Sequence, residues 1–121
     1  MLRHVKFANL PVLDQGRALA FWRDQVGLTV AADEPYGDNR WIELAVAGAE
    51  TRIVFVGRAD EAPSSEPDMI LVCDDIDASY AALVARGVVF TQVPAAAPWR
   101  PDERYALFRD SEGNLVMLGD G

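Results

Sequence analysis

The sequence predicts an α+β fold made of two tandem βαβββ modules. Three observations carry this: a strand-helix-strand-strand-strand order that occurs twice, a break rich in proline, serine and acids between the two runs, and helix cap and stop residues that recur at one spacing. Half of the 121 residues are apolar, enough for one compact domain and too few for two ordinary ones.

The opening segment HVKFANLPV has the apolar density of a strand, and Pro11 places an edge or a break near its end. In DQGRALAFWRDQVG, Asp14 is the expected N-cap. Ala18, Leu19, Trp22 and Val26 recur at helical spacing, and Gly27 is the stop. LTVAA then reads as a strand, DEPYGDN as a loop, and RWIELAV and TRIVFVG as two strands joined by AGAE. RADEAPSSEP offers no core-forming residue and reads as a linker. After it DMILVC is expected as a buried strand. DDIDASYAALVARG is a helix capped by Asp74 or Asp75, with Ile76, Tyr80, Leu83 and Val84 as its apolar stripe and Gly87 as its stop. VVFTQV is a strand, PAAAPWRPDE a proline-rich loop, and RYALFRD and NLVMLG the last two strands.

Asp14 to Gly27 and Asp74 to Gly87 are each thirteen residues apart, so the two halves share a register. A helix covers one face of a four-stranded sheet and leaves the other to be covered or used. Two such sheets side by side would form a curved half-barrel cup. The expected organisation is a single domain, residues 1–121, with module one at about 1–58, a linker at about 59–67 and module two at about 68–121.

A net charge of -8 excludes binding to nucleic acid or to an anionic membrane, since little here could neutralise phosphates. It would attract a cationic ligand, although an acidic balance is also an ordinary device for solubility. The one cysteine, Cys73, forbids an internal disulfide and fits a cytoplasmic setting. The first ten residues are too charged for a signal peptide, and no stretch approaches a membrane span.

DQGRALAFWRDQVGLTV, VCDDIDASYAALVARGV and FRDSEGNLVML, in this order, resemble the vicinal oxygen chelate superfamily. That superfamily comprises the glyoxalases, bleomycin-resistance proteins and extradiol dioxygenases. The first carries Phe21-Trp22 where the family has Phe-Tyr. The last carries Ser111 in place of the proline of the usual Asp-Pro-Asp/Glu-Gly-Asn turn. The resemblance spans nearly the whole chain and implies the fold more strongly than any one chemistry.

Metal-dependent members of that family hold a divalent ion with His or Glu from the first and fourth strands of each module. The equivalent positions here are Phe7, Val54 or Phe55, Asp68 (Pro67 if the alignment slips by one) and Met117. Aromatic and aliphatic side chains cannot ligate, and a thioether suits soft Cu(I) rather than a hard divalent ion. His4 lies an odd number of residues from Phe7 and so points to the opposite face. The expectation is therefore no metal and no other cofactor.

Without a metal, the candidates are an aromatic binding cup and polar groups inside it. Phe7, Trp41, Phe55, Trp99, Tyr105, Phe108 and Met117 are the expected walls, with Trp99 as a lid in its loop. Glu43 and Arg52, together with Asp68 and Arg104, are expected to orient a ligand's polar groups. A carboxylate among such rings would resist ionisation and offer a general acid or base. Trp22 is expected in the core, and Cys73 as a small buried residue rather than a nucleophile.

The function read from the sequence is a metal-independent binding protein of the glyoxalase/bleomycin-resistance type. It would sequester or sense a small organic molecule and work as a homodimer. The alternative is a divalent-metal-dependent lyase, isomerase or dioxygenase of the same superfamily.

Overall fold

The computed structural model describes residues 1–59 and 64–121. Part of the expected linker, residues 60–63, therefore lies outside the described residues. The chain forms two compact units, Met1–Glu61 and Ala62–Gly121.

The first unit contains β1 (Phe7–Val12), α1 (Gln15–Ala20), a π-helical turn (Phe21–Val26), β2 (Thr29–Tyr36), β3 (Asn39–Ala45) and β4 (Arg52–Gly57). The second contains β5 (Met69–Cys73), α2 (Ile76–Ala85), β6 (Phe90–Ala97), β7 (Arg100–Arg109) and β8 (Leu115–Asp120). Each unit has one four-stranded sheet, ordered β1-β4-β3-β2 and β5-β8-β7-β6, so the same topology occurs twice. In each sheet the first strand pairs in parallel with the last, and the other pairings are antiparallel. This is the expected α+β class. Among the described residues, no helix is long and apolar enough to cross a membrane.

The two helices start alike and differ by one residue. Asp14 accepts from the Arg17 N–H and Asp75 from the Ala78 N–H, both at 3.0 Å, so the second cap is Asp75 rather than Asp74. Both helices stop at a left-handed glycine, Gly27 (φ 93°) and Gly87 (φ 90°). Cap and stop are thus thirteen residues apart in the first helix and twelve in the second. The π-helical turn absorbs the extra residue: the Gly27 N–H reaches back five residues to the Trp22 carbonyl at 3.0 Å. The wider turn keeps Phe21 and Trp22 both buried beside Ala18 and Leu19.

Two expected loops are shorter than the sequence suggested. β2 runs on through Asp33-Glu34-Pro35-Tyr36, leaving Gly37-Asp38 as a two-residue hairpin turn. Gly37 has φ 59°, and Asp38 is not at positive φ, which matches a type II′ turn. β6 likewise takes in Pro94 to Ala97, so Trp99 sits at a hairpin tip and not in a long loop. Both prolines lie on edge strands, where a missing N–H costs no ladder bond, and register shifts in β6 absorb Pro94.

In the first unit Leu10, Ile42, Leu44, Ile53 and Phe55 are buried on one sheet face, with the helical residues completing that core. Gln15 of α1 ties the helix to β3 through two bonds to the Arg40 backbone, 2.6 and 3.1 Å. In the second unit Tyr80 of α2 packs on Phe90 at 4.8 Å, and Phe90 on Phe108 at 5.4 Å. Val84, expected in the apolar stripe, is 45% exposed, because only Ile76 and Leu83 of α2 are buried. The strand expected to be buried, β5, alternates half-buried and exposed residues: Ile70 and Val72 stand 62% and 69% exposed. It is an edge strand whose second face has no helix.

The closing turn is held by a buried polar knot. Asp110 accepts from the Glu112 N–H (2.9 Å), the Asn114 N–H (2.8 Å) and the Asn114 side-chain amide (2.9 Å). Asp110→Ala should lower unfolding free energy by about 3 kcal/mol, because three buried donors would lose their charged acceptor. Asp75→Ala, an exposed cap, should cost only about 1 kcal/mol. Chemical denaturation of both variants compares the two values.

Candidate functional site

Strand alternation sorts the side chains of each sheet into two sets, and pairing register says which share a face. In the first unit two rows run across the sheet face opposite the core, Phe7, Arg52 and Ala45, then Asn9, Val54 and Glu43; Pro11 and Val56 pair beyond them, and Trp41, two residues before Glu43, shares this face with its partner Glu34. Val54 rather than Phe55 therefore shares a face with Phe7 and Glu43. Phe55 is paired with Leu10 on the core face and is 6% exposed.

The rings of Phe7 and Trp41 meet edge to face at 5.8 Å. Phe7 lies two residues before Asn9 on β1 and Trp41 two residues before Glu43 on β3, so the rings reach over Val54, which lies between Asn9 and Glu43. Val54 accordingly is only 2% exposed. Tyr36, read from the sequence as a loop residue, stacks on Trp41 at 6.0 Å with 30° between the rings. A depression of about 490 Å³ opens beside this hairpin and is lined in part by Tyr36, Arg40, Trp41 and Phe55.

Glu43 sits beneath these rings with its side chain 13% exposed. The Trp41 indole N–H donates to Oε2 at 2.7 Å and Arg52 donates to Oε1 at 2.9 Å. The Trp41 bond, then that from Arg52, holds the carboxyl below its ordinary value of 4.5 and outweighs the opposing effect of burial. The expectation of a carboxylate that resists ionisation among aromatic rings is thus corrected. Two aimed donors stabilise the anion, and Glu43 is no poised general acid.

In the second unit the open face carries the rows Ile70, Met117 and Leu107, and Val72, Gly119 and Tyr105. Trp99 folds back from the hairpin tip to meet Tyr105 at 5.1 Å and remains 57% exposed. Gly119 leaves a gap in its row, since a Cβ built there meets nothing within 4 Å. A depression of about 470 Å³ results, walled by Ile70, Val72, Trp99, Tyr105 and Met117. The sequence reading did not single out Gly119, Ile70 or Val72; a glycine within a strand was the available signal.

Arg104 borders this depression while its guanidinium pairs with Asp77 of α2 at 2.8 Å. Two expected site residues lie elsewhere. Phe108 is three positions from Tyr105, so it points to the opposite face and is fully buried against Phe90. Asp68 accepts from the Ser64 hydroxyl and from the Leu115 N–H, which binds it to the start of the second sheet.

Of the positions that the family resemblance assigns to metal ligands, Phe7 and Val54 share the open face of the first unit and Met117 lies on that of the second, with Asp68 just before β5. This donor set does not fit a hard divalent ion. Among the described residues, no three His, Cys, Asp or Glu side chains are placed to hold one. His4 instead pairs with Glu50 at 3.1 Å. Burial pushes the Cys73 thiol up, which suits a packing role over a nucleophilic one.

Residues 2–118 match the glyoxalase/bleomycin resistance protein/dioxygenase superfamily. The uncharacterized protein YetH of Bacillus subtilis (strain 168) is 32% identical over 121 residues, covering 98% of each chain. Among solved structures, TnmS3, an antibiotic binding protein from Streptomyces sp. CB03234, is 36% identical with a TM-score of 0.84, covering 98% of this chain and 96% of that one. A glyoxalase/bleomycin resistance protein from the same strain is 35% identical with a TM-score of 0.78, covering 97% and 100%.

The lowered value at Glu43 has a defined consequence for stability. Its contribution is complete above the unfolded-state value near 4.5 and is lost as the pH falls through the lower folded value. The stability difference between wild type and Glu43→Gln should therefore be flat from about pH 6 to pH 8 and shrink below about pH 4. Urea denaturation across this range measures it; a difference that grows on acidification would contradict the anionic assignment.

Proposed function

The chain belongs to the glyoxalase/bleomycin resistance protein/dioxygenase superfamily, and from that premise we propose that it is a metal-independent protein that binds a small organic molecule against its aromatic sheet faces. The observation that carries this reading is the depression in the second unit. There a half-exposed Trp99 stands over Tyr105, beside the gap at Gly119 and the thioether of Met117. An indole left this exposed loses contact area that a flat organic ligand would restore. In the first unit Phe7, Trp41 and Tyr36 offer a second aromatic wall, with Glu43 and Arg52 as its polar groups.

The similarity to an antibiotic binding protein over nearly the full chain supports binding as the activity. A Met at the position of the usual acidic ligand supports a role without a metal. A homodimer is part of the proposal, since edge strand β5 leaves unpaired backbone beside the exposed Ile70 and Val72.

A thermal-shift screen of organic ligands, run with and without chelator, tests the reading, because a molecule that binds the native state raises its apparent stability. The shift should survive chelation. For a hit, Trp99→Ala should weaken affinity about tenfold, equivalent to about 1.4 kcal/mol. Gly119→Leu should weaken it at least as much by filling the gap, while each variant keeps its fold by circular dichroism. Unchanged affinity in both variants, or a shift abolished by chelator, would refute this site.

Sedimentation velocity tests the assembly. The wild type should run as a dimer and Ile70→Glu with Val72→Glu as a monomer; a monomeric wild type removes that part of the proposal.

A further inference from the structure

The depression of the second unit brings aromatic rings and carboxylates to one place. Trp99, 57% exposed, stands edge to face with Tyr105, and Met117 shares the lining with them. Glu66, Glu103 and Asp120 border the same space, with Arg104 as the one cation of the lining. Glu103 lies two residues before Tyr105 on β7 and so belongs to the same face. The face of an indole or a phenol ring is electron-rich and attracts a cation.

The charges around this space do not cancel. Arg100 is given to Glu103 at 3.0 Å and Arg104 to Asp77 at 2.8 Å, so each guanidinium is neutralised by a carboxylate. The Nε of Arg104 is buried. Asp120 accepts the backbone N–H of Arg104 at 2.9 Å, which is a neutral donor. Glu66 is exposed just before β5 and has no hydrogen-bond or ion-pair partner among the described residues. The lining and its ion-pair partners together hold four carboxylates (Glu66, Asp77, Glu103 and Asp120) and two guanidiniums (Arg100 and Arg104). Farther along the strands Arg109 binds the Ser64 and Gly113 carbonyls and Asp68 takes the Leu115 N–H. This one cation and one acid leave the difference as it is.

We propose that this depression takes an organic ammonium ion. The cation lies between the Trp99 ring and the Glu66 carboxylate, and the apolar body rests on Ile70, Tyr105 and Met117 over the gap at Gly119. A carboxylate on the ligand would meet Glu66 and find both guanidiniums already neutralised. A neutral head group would forgo the attraction of ring and acid alike. The inference rests on the reading of this depression as a binding site and adds the charge class of its ligand. It assigns to named side chains the cation that a net charge of -8 offers only to the surface as a whole.

Three probes with one ring system and different head groups test it: 2-naphthylmethylammonium, 2-naphthalenemethanol and 2-naphthoate. They are titrated by calorimetry in about 0.15 M salt, where charges more than about 8 Å away are largely screened. The ammonium probe should bind the wild type about tenfold more tightly than the alcohol, and naphthoate should bind most weakly. Glu66→Gln and Trp99→Leu should each cut the ammonium-to-alcohol ratio about threefold or more, with the fold retained by circular dichroism. Glu50→Gln removes the same charge outside this lining and should leave the ratio unchanged. Equal affinity for ammonium and alcohol, or a ratio that Glu66→Gln moves no more than Glu50→Gln does, overturns the charge class. If the alcohol still binds and Trp99→Leu weakens it, the binding site stands without that class. If none of the three probes binds, the reading of this depression as a binding site falls with it.

Discussion

A four-stranded sheet accompanied by a single helix can bury one of its faces, and the other must meet something else. Each unit of this protein obeys that constraint. Leu10, Ile42, Leu44, Ile53 and Phe55 fill one face of the first sheet, and Phe90, Ala106, Phe108, Val116 and Leu118 serve the second. The opposite faces carry rings, a thioether, a glycine gap and a few charges. That partition decides which residues are free to meet a ligand, and it follows from alternation along the strands rather than from residue type.

The parallel pairing of the first and last strand in each sheet makes the final strand central to the arrangement. β8 lies between β5 and β7, so it buries Leu115, Val116 and Leu118 while presenting Met117 and Gly119 on the open face. Its entry is set by the Asp110–Asn114 knot, buried and bonded through both backbone and side chain. A polar turn that seems a mere connector in the sequence thus sets the register of the strand on which the proposed depression rests. The π-helical turn serves a similar purpose in the first unit, accommodating one extra residue without exposing Phe21 or Trp22.

The Glu43 cluster shows how local geometry overrides composition. Burial alone would push a carboxylate toward its neutral form, but an indole N–H and a guanidinium aimed at its two oxygens reverse the sign. On this scaffold, similar to that of an antibiotic binding protein at 36% identity, the ring pair and its polar groups lie on the sheet face turned away from the helix.

The sequence by itself determined the order of elements, both helix stops, the Asp14 cap, the closing turn and the family. Caps, glycines and hydrophobic periods act over a few residues, so they are written locally. Only the tertiary structure decided which of two alternating sets lies against the helix, and so that Val54 and Tyr105 share the open faces while Phe55 and Phe108 belong to the cores. It alone showed that Pro35 and Pro94 sit on edge strands, where hairpins extend through segments that read as loops. The ionisation of Glu43 was beyond the sequence for the same reason: Arg52 reaches it across a strand pair, nine residues away along the chain. Pairing register is a long-range property, and the chemistry of each face depends on it.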